Sequence, residues 1–124
     1  MKRDFDLIRL ILLEIEKTPA EKAGDLIPIK LEGFTSPEIS YHVGLLEQAG
    51  LVKAFNFAAD DLSEWIPSGL TWEGHEFLDA ARDSKIWDKA KALVLQATGV
   101  ATIESFKIAF KILIDQLMTG RLGI

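Results

Sequence analysis

The sequence predicts an α+β fold that is mostly helical, and three observations lead to this class. The stretch 35–52, TSPEISYHVGLLEQAGLV, carries its apolar residues on one side of a helix. The apolar stretches 51–59 and 65–72 follow on either side of a polar loop and predict an antiparallel hairpin. Most other apolar residues, before and after this region, recur at helical spacing. The chain is therefore organised around one helix and the hairpin that follows it.

The composition is that of a folded domain of ordinary size. The chain has 124 residues, of which 48% are hydrophobic and 27% are charged. It contains no cysteine, which excludes disulfides, thiolate metal sites and a cysteine nucleophile. The N-terminal stretch does not resemble a signal peptide, and no stretch approaches the length of an apolar membrane span. We therefore expect a cytoplasmic protein with no membrane partner.

The first helix is predicted over residues 4–17. Asp4 and Asp6 would lie at its positive end and Lys17 near its negative end. Apolar residues cover nearly all of its circumference, so we expect this helix at the centre of the core. Its main stripe consists of Phe5, Ile8, Leu12 and Ile15.

Residues 18–34 form a connector in which no full helix fits. Proline, glycine and charged residues dominate 18–25, where a short helical turn is placed at 20–23. Residues 27–31 alternate weakly and contain Pro28, which predicts a short edge strand.

The central helix is predicted over residues 36–49, and both of its ends are marked in the sequence. Ser36 is the expected cap, Pro37 suits the first turn, and Gly50 can adopt the left-handed conformation that ends a helix. The face expected to be buried against the first helix consists of Ile39, Val43 and Leu46. The opposite face, the predicted recognition surface, consists of Ser40, Tyr41, Gly44, Glu47 and Gln48.

The hairpin is predicted to pair 51–59 with 65–72, with the polar loop AADDLSE between them and an interruption at Pro67-Ser68-Gly69. Thr71 then caps a further helix that continues to Asp83. The residues of that helix expected to face inward are Phe77, Leu78 and Ala81.

Two more helices complete the chain. The first is predicted to start at Ser84 and to end at Gly99, and the second to cover 102–118. The first is expected to bury Ile86, Trp87, Ala90, Leu93, Val94 and Ala97. The second is expected to bury Ile103, Phe106, Phe110, Leu113 and Leu117. Ile108 and Ile112 lie on its opposite face, where they predict a dimer surface unless the monomer itself covers them.

Several stretches carry a resemblance to known proteins. ISYHVGLLEQAGLV resembles the recognition helix and first wing strand of winged helix-turn-helix regulators, and GLTWEGHEFLDAARD is similar to the Leu-Thr-x-x-Gly join that follows the wing in many of them. Over residues 2–92 the chain resembles a small uncharacterised family found mainly in prophages and bacterial genomes. The resemblance implies a winged-helix domain over 1–83, with the helices of 84–124 packing on it within a single domain overall. It implies no catalytic or binding residues.

Charge argues against the simplest function of such a fold. Residues 1–83 hold 8 Lys or Arg against 16 Asp or Glu, and no cation lies between Lys30 and Lys53. Cations on phosphates supply most non-specific affinity for DNA, so a DNA partner is disfavoured. We interpret the chain as a non-catalytic binding module that acts through protein contacts, with another protein or with itself through 102–118. The alternative is a DNA-binding transcription regulator that uses helix 37–49 and wing 51–72.

No residue set in the sequence predicts an enzyme, a cofactor or a metal site. We expect His42 to be a core-edge histidine bonded to backbone rather than a general base. His75 lies near Glu76 and Asp79 on one predicted helix, but one histidine beside carboxylates is typical of a solvated face. The three tryptophans are expected to anchor the core and the wing: Trp65, Trp72 and Trp87.

Overall fold

The computed structural model describes residues 1–18, 24–57 and 64–121. These residues form five helices and one two-stranded antiparallel sheet, which confirms the mostly helical α+β class. The elements in chain order are α1 (Phe5–Lys17), α2 (Ser36–Gln48), β1 (Val52–Asn56), β2 (Trp65–Leu70), α3 (Trp72–Ala81), α4 (Ser84–Thr98) and α5 (Ile103–Arg121). The chain divides into two compact units, Met1–Leu78 and Asp79–Ile124. None of the described helices combines the length and the apolar character needed to cross a membrane.

Helix α1 is the central element of the first unit, as predicted. Asp4 caps it by accepting a hydrogen bond from the Leu7 backbone N–H at 3.1 Å. The helix packs against α2 and against β2. Its buried residues are Phe5, Leu7, Ile8, Ile11, Leu12 and Ile15. On α2, the predicted inward residues Ile39, Val43 and Leu46 are all buried.

Strands β1 and β2 form the predicted antiparallel hairpin, shorter than expected at both strands. The register pairs Val52 with Leu70 and Asn56 with Trp65. A bulge at Ser68 interrupts the ladder, at the site where the sequence predicted a break. The Ser68 hydroxyl donates to the Lys53 carbonyl at 3.4 Å across this bulge. The predicted polar loop lies mostly outside the described residues.

The prediction of an edge strand at 27–31 is wrong. This segment makes a single backbone hydrogen bond to the sheet, from the Ile27 N–H to the Pro67 carbonyl at 2.7 Å. Pro67 has no N–H to return a second bond, and the bulge at Ser68 displaces the next residue of β2, so a ladder cannot extend. Residues 24–34 contain no helix, and the turn predicted at 20–23 lies outside the described residues.

A compact set of backbone contacts joins the end of α2 to the start of α3. The Thr71 N–H donates to the Leu51 carbonyl at 3.0 Å, and the Thr71 hydroxyl donates to the Gly50 carbonyl at 2.6 Å. The same hydroxyl accepts from the Gly74 N–H at 3.0 Å, which confirms Thr71 as a cap. A Cβ at Gly74 would overlap the Leu51 carbonyl oxygen. The close approach therefore accounts for the threonine and the glycine of the Leu-Thr-x-x-Gly pattern.

In the second unit, α4 packs against α5 around one aromatic pair. Trp87 stacks on Phe106 with ring centroids 4.6 Å apart and planes 7° apart, and Phe110 lies beside both rings. Asp83 caps α4 by accepting from the N–H groups of the second and third helical residues. Gly99 ends this helix in the left-handed conformation, as predicted.

Some residues of the C-terminal helices were wrongly assigned to the core. Ala97 is exposed, as is Leu117 near the end of α5, while Ile86, Leu93, Ile103 and Leu113 are half-buried. Trp72 does not anchor the core either, because it is 74% exposed as the first residue of α3. The inward residues of α3 are correct, since Phe77, Leu78 and Ala81 are all buried.

Candidate functional site

Helix α2 carries the candidate site, and its first turn is fixed by a capping box. The cap is Thr35 rather than the predicted Ser36. The Thr35 hydroxyl oxygen accepts from the Glu38 N–H at 3.2 Å, and the Glu38 carboxylate accepts from the Thr35 N–H at 3.1 Å. Ser36 has no such reciprocal partner in its register, which is why the helix begins one residue after Thr35. Pro37 lies in the first turn, as predicted.

The capping box also changes the acidity of Glu38. The hydrogen bond from the Thr35 backbone N–H, with a second from the Thr35 hydroxyl, lowers the pKa of the Glu38 carboxyl below its ordinary value of 4.5. The ionised carboxylate is therefore favoured in the folded chain relative to the unfolded chain. Folding and ionisation of Glu38 are linked through this difference.

Glu38→Gln should remove part of the acid sensitivity of the fold. A lowered folded pKa means that Glu38 stabilises the fold above pH 4.5 and loses this effect as the pH falls through the folded pKa. Glutamine keeps an oxygen that can accept from the Thr35 N–H but does not titrate in this range. We expect wild type to exceed the variant in urea midpoint at neutral pH, with the difference shrinking below pH 4.5. Glu76→Gln, on the exposed face of α3, is the matched control; a pH-independent difference for Glu38→Gln would contradict the prediction.

The predicted recognition surface of α2 is only partly open. Tyr41 and Gln48 are exposed and Glu47 is half-buried. Gly44, predicted on the open face, is instead buried beneath the indole of Trp65. A Cβ built at Gly44 would lie only 2.8 Å from the indole nitrogen. Ser40 is half-buried, and its hydroxyl oxygen accepts from the Trp65 backbone N–H at 2.8 Å.

The contact between β2 and α2 leaves a groove of about 370 Å³ on the outer side of the helix. Its lining residues are Met1, Pro37, Ser40, Tyr41, Gly44, Leu45, Gln48 and Trp65. None of these side chains carries a charge. Four of them, Ser40, Tyr41, Gly44 and Gln48, belong to the predicted surface, whereas Glu47 does not line the groove.

The sequence predicted an open helical face, whereas the structure has a groove. One wall of this groove is α2, and the other comes from the hairpin, which the helical pattern of α2 could not indicate. The signal that was missed is Gly44 itself. Glycine inside a helix costs about 1 kcal/mol relative to alanine, so an interior glycine often marks a close approach by another element. Trp65, at the start of the return strand, is the residue that makes this approach.

His42 is the buried histidine that the sequence predicted, and both of its ring nitrogens bond to backbone. Its Nε2 accepts from the Asp4 N–H at 2.9 Å, and its Nδ1 lies 2.7 Å from the Glu38 carbonyl oxygen. Because Nε2 accepts, the proton must be on Nδ1, which then donates to Glu38. The imidazole ring of His42 therefore links the N-terminus of α1 to α2 through these hydrogen bonds. Neither nitrogen faces the groove with a free lone pair.

The second candidate set of titratable residues lies on the exposed side of α3. His75, Glu76 and Asp79 are all exposed, and Asp79 pairs with Arg82 at 2.8 Å. Within the residues that the structure describes, no group of three His, Cys, Asp or Glu side chains is arranged to hold a metal ion. These side chains form a solvated helix face, as predicted.

The predicted dimer surface on α5 is exposed. Ile108 is 62% exposed and Ile112 is 43% exposed. Glu104 and Lys107 pair at 3.5 Å along the same helix, and Lys111 is exposed beside the isoleucines. This surface is an apolar pair within a charged border.

The comparisons with known proteins place the chain in a family. Residues 2–101 match the family model described as "Hypothetical protein (DUF2513)". A Haemophilus influenzae protein described as "Uncharacterized protein" is 36% identical over 118 residues, which cover 95% of this chain and 99% of that protein. No solved structure matches the chain. The family match covers α1 to α4 and most of the groove, and the protein therefore belongs to the DUF2513 family.

Proposed function

We propose that this protein is a non-catalytic, cytoplasmic binding module of winged-helix architecture that acts through protein contacts. The observation that carries the proposal is the groove on α2, whose lining side chains are uncharged and include two aromatic residues. Grooves lined by uncharged side chains with aromatic walls suit protein segments better than phosphates. A role in prophages, which the resemblance implied, belongs to the same proposal.

The arrangement of α2 and the hairpin supports the winged-helix interpretation. The hairpin follows α2 directly and packs on it through Trp65 and Gly44. The Thr71 and Gly74 contacts then direct the chain into the next helix. The difference from DNA-binding winged helices lies before α2, where residues 24–34 contain no helix to precede the recognition helix.

The second candidate function is a DNA-binding transcription regulator. Helix 37–49 and wing 51–72 would then contact DNA, with Ser40 or Gln48 reading base edges. The exposed amide of Gln48 favours this function, but the half-buried Ser40 hydroxyl is already bonded to the hairpin. Glu47 on α2 and Glu64 beside the hairpin would face phosphates with the wrong sign.

A titration with random duplex DNA at low salt separates the two functions. We expect weak binding by the unmodified chain, since no cation lies between Lys30 and Lys53. Glu47→Lys with Glu64→Lys should raise the affinity by about tenfold or more, because repulsion is removed and phosphate partners are added. Fluorescence anisotropy of a labelled duplex gives both values.

The matched control is Glu73→Lys with Glu76→Lys, which makes the same charge change on α3. It should raise the affinity much less, because the effect expected at α2 and the hairpin depends on position as well as on net charge. Tight, steeply salt-dependent binding by the unmodified chain would replace the proposed function with the transcription regulator.

The proposal includes self-association through α5. Ile108 and Ile112 are four residues apart and lie on one side of the helix, opposite the buried Phe106 and Phe110. A second copy related by a two-fold axis presents the same pair, and so it covers both sets of isoleucines at once. Glu104 and Lys111 on the border can then face residues of opposite charge.

Ile108→Glu with Ile112→Lys should convert a dimer into a folded monomer. Charged side chains at both positions would be desolvated in the proposed interface, which is costly, but they remain hydrated in the monomer. Sedimentation equilibrium measures the mass, and far-ultraviolet circular dichroism checks that the helices are kept. Leu95→Glu, on an exposed apolar residue of α4, should leave the dimer intact. A parent chain that is monomeric at high micromolar concentration would contradict this part of the proposal.

A further inference from the structure

We propose that the free edge of β1, the side of the strand away from β2, pairs antiparallel with the same edge of a second copy of the chain. Phe55 of one copy then faces Phe55 of the other at the two-fold axis. This surface is distinct from the groove on α2 and from the isoleucines of α5, so the inference goes beyond the proposed function. Three observations lead to it: the direction of the backbone groups of β1, the side chains beside its edge, and the charges that self-pairing brings together.

Strand β1 has one paired edge and one open edge. In the part of the chain that the structure describes, β2 is the one strand that pairs with β1. The Phe57 N–H donates to the Glu64 carbonyl at 2.8 Å, and the Leu51 carbonyl accepts from the residue after β2 at 3.0 Å. Because backbone groups alternate in direction along an antiparallel strand, these two bonds fix the directions of the groups between them. The N–H and carbonyl groups of Ala54 and Asn56 therefore point away from β2, toward the free edge.

The side chains beside this edge give little protection against an added strand. Sheets commonly protect an open edge with lysine, proline or a bulge in the edge strand. Lys53 lies near one end of β1, but the next positions on the same face are Phe55 and, directly after the strand, Phe57. Phe55 is 49% exposed and Phe57 is 47% exposed. An added strand would bond to the backbone of the edge and cover apolar area on both rings.

The register of β1 makes the edge complementary to itself. Two copies of the strand related by a two-fold axis run antiparallel. With the axis at Phe55, Ala54 of each copy lies opposite Asn56 of the other, and both residues have backbone groups that point outward. Each of these pairs can exchange N–H and carbonyl bonds in both directions. Phe55 faces its counterpart in a pair without backbone bonds, where side chains are closest and aromatic pairs stabilise a sheet.

The charges beside the edge also suit a second copy. Lys53 is the one charged residue of β1, and antiparallel pairing places the two lysines at opposite ends of the interface. The same register puts Lys53 of one copy opposite Phe57 of the other, where an ammonium group can lie over the ring. Within the hairpin, Phe57 lies opposite Glu64, and residues that face each other across a sheet share one face. The incoming lysine therefore approaches an aromatic ring with a carboxylate beyond it.

The experiment uses the full chain with Ile108→Glu and Ile112→Lys, which removes the contact proposed for α5. A single strand edge is a small interface, and small interfaces associate weakly. We therefore expect this variant to be monomeric at micromolar concentration and to dimerise at millimolar concentration, as measured by translational diffusion in NMR. The amide protons of Ala54 and Asn56 should move downfield as the concentration rises, because they gain hydrogen bonds. The amide proton of Phe57, already bonded to β2, should move much less.

A charge exchange at Phe55 tests the position of the two-fold axis. Phe55→Lys and Phe55→Glu, each added to that variant, should weaken dimerisation by about tenfold or more, because like charges would face each other across the axis. An equimolar mixture of the two should restore dimerisation, since opposite charges then meet. Asn56→Pro should also weaken it, because proline removes an outward N–H without removing a bond to β2.

Trp72→Lys and Trp72→Glu are the matched controls, since Trp72 is an exposed aromatic residue on α3; both should leave dimerisation unchanged. Circular dichroism checks that every variant keeps its fold. A variant with the altered α5 that stays monomeric at millimolar concentration would overturn the inference, and so would a mixture of the two Phe55 variants that fails to restore dimerisation. Failure of the proposed function has different signatures: tight binding of duplex DNA by the unmodified chain, or a parent chain that is monomeric at high micromolar concentration.

Discussion

Gly74→Ala is expected to destabilise the first unit by about 3 kcal/mol or more, the upper range for forcing extra volume into a packed site. The added methyl group would overlap the Leu51 carbonyl oxygen, which is backbone and cannot rotate away. Relief requires α3 to move from Leu51, and that movement stretches the hydrogen bonds of Thr71 to Gly50 and Leu51. Urea unfolding followed by circular dichroism measures the loss.

The sign of this prediction is informative because helix propensity acts in the opposite direction. Alanine is favoured over glycine inside a helix by about 1 kcal/mol, so a site without the close contact would gain stability. Gly120→Ala in α5 is the matched control, since nothing lies within 4 Å of a Cβ built there. We expect this control to be neutral or slightly stabilising. A Gly74→Ala variant as stable as wild type would mean that α3 does not approach Leu51 as closely as described.

Local signals explain the parts of the fold that the sequence predicted. The residues that end helices are encoded within a few positions, as at Gly50 and Gly99, both of which adopt positive φ. The hairpin was predictable because its two strands are neighbours in sequence and its break at Pro67 interrupts an apolar run. The cap at Thr35 was missed by one residue because Thr35 and Ser36 are both good caps. Only the reciprocal bond from Glu38 decides between them.

Tertiary partners decide the parts that the sequence did not predict. Periodicity gives the face of a helix but not how far a neighbouring element extends along it, so Ala97 and Leu117 were wrongly assigned to the core. Trp72 was also wrongly expected to anchor the core. It is the first residue of α3, and the sequence around it does not indicate which other element would cover it. Large apolar residues are usually buried, but whether a given one is buried depends on a contact with another part of the chain.

The candidate site was predicted in position but not in shape. The residues of the outer face of α2 were identified from a single helical turn pattern, and four of them line the groove. Their companion Trp65 is 21 positions beyond Gly44 in the sequence, and no spacing rule connects the two. The groove exists because one residue lacks a side chain and another covers the space. Such a pairing is a property of the folded chain rather than of either segment.

Phe106 carries the largest expected loss in the second unit because it is fully buried and central to the aromatic cluster. Its ring stacks on Trp87 at 4.6 Å and lies 5.9 Å from the ring of Phe110. Aromatic pairs contribute beyond the area that they bury. Removing the ring also leaves a cavity between α4 and α5, whose remaining core is small. Apart from the aromatic cluster, its buried residues include Ala90, Val94 and Ala109.

Phe106→Ala should therefore destabilise α4 and α5 by about 3–5 kcal/mol, the range for truncating a buried aromatic residue. Amide hydrogen exchange is the sharpest measurement, because protection lost in these two helices can be read separately from protection in α1 and α2. Gln116→Ala, an exposed change in the same helix, should be nearly neutral. Phe106→Leu should lose less than alanine because it fills most of the cavity but cannot stack on Trp87. If Phe106→Ala lowers the free energy of unfolding by less than about 1 kcal/mol, the effect is no larger than at an ordinary surface site. That result would show that the aromatic cluster does not hold α4 and α5 together.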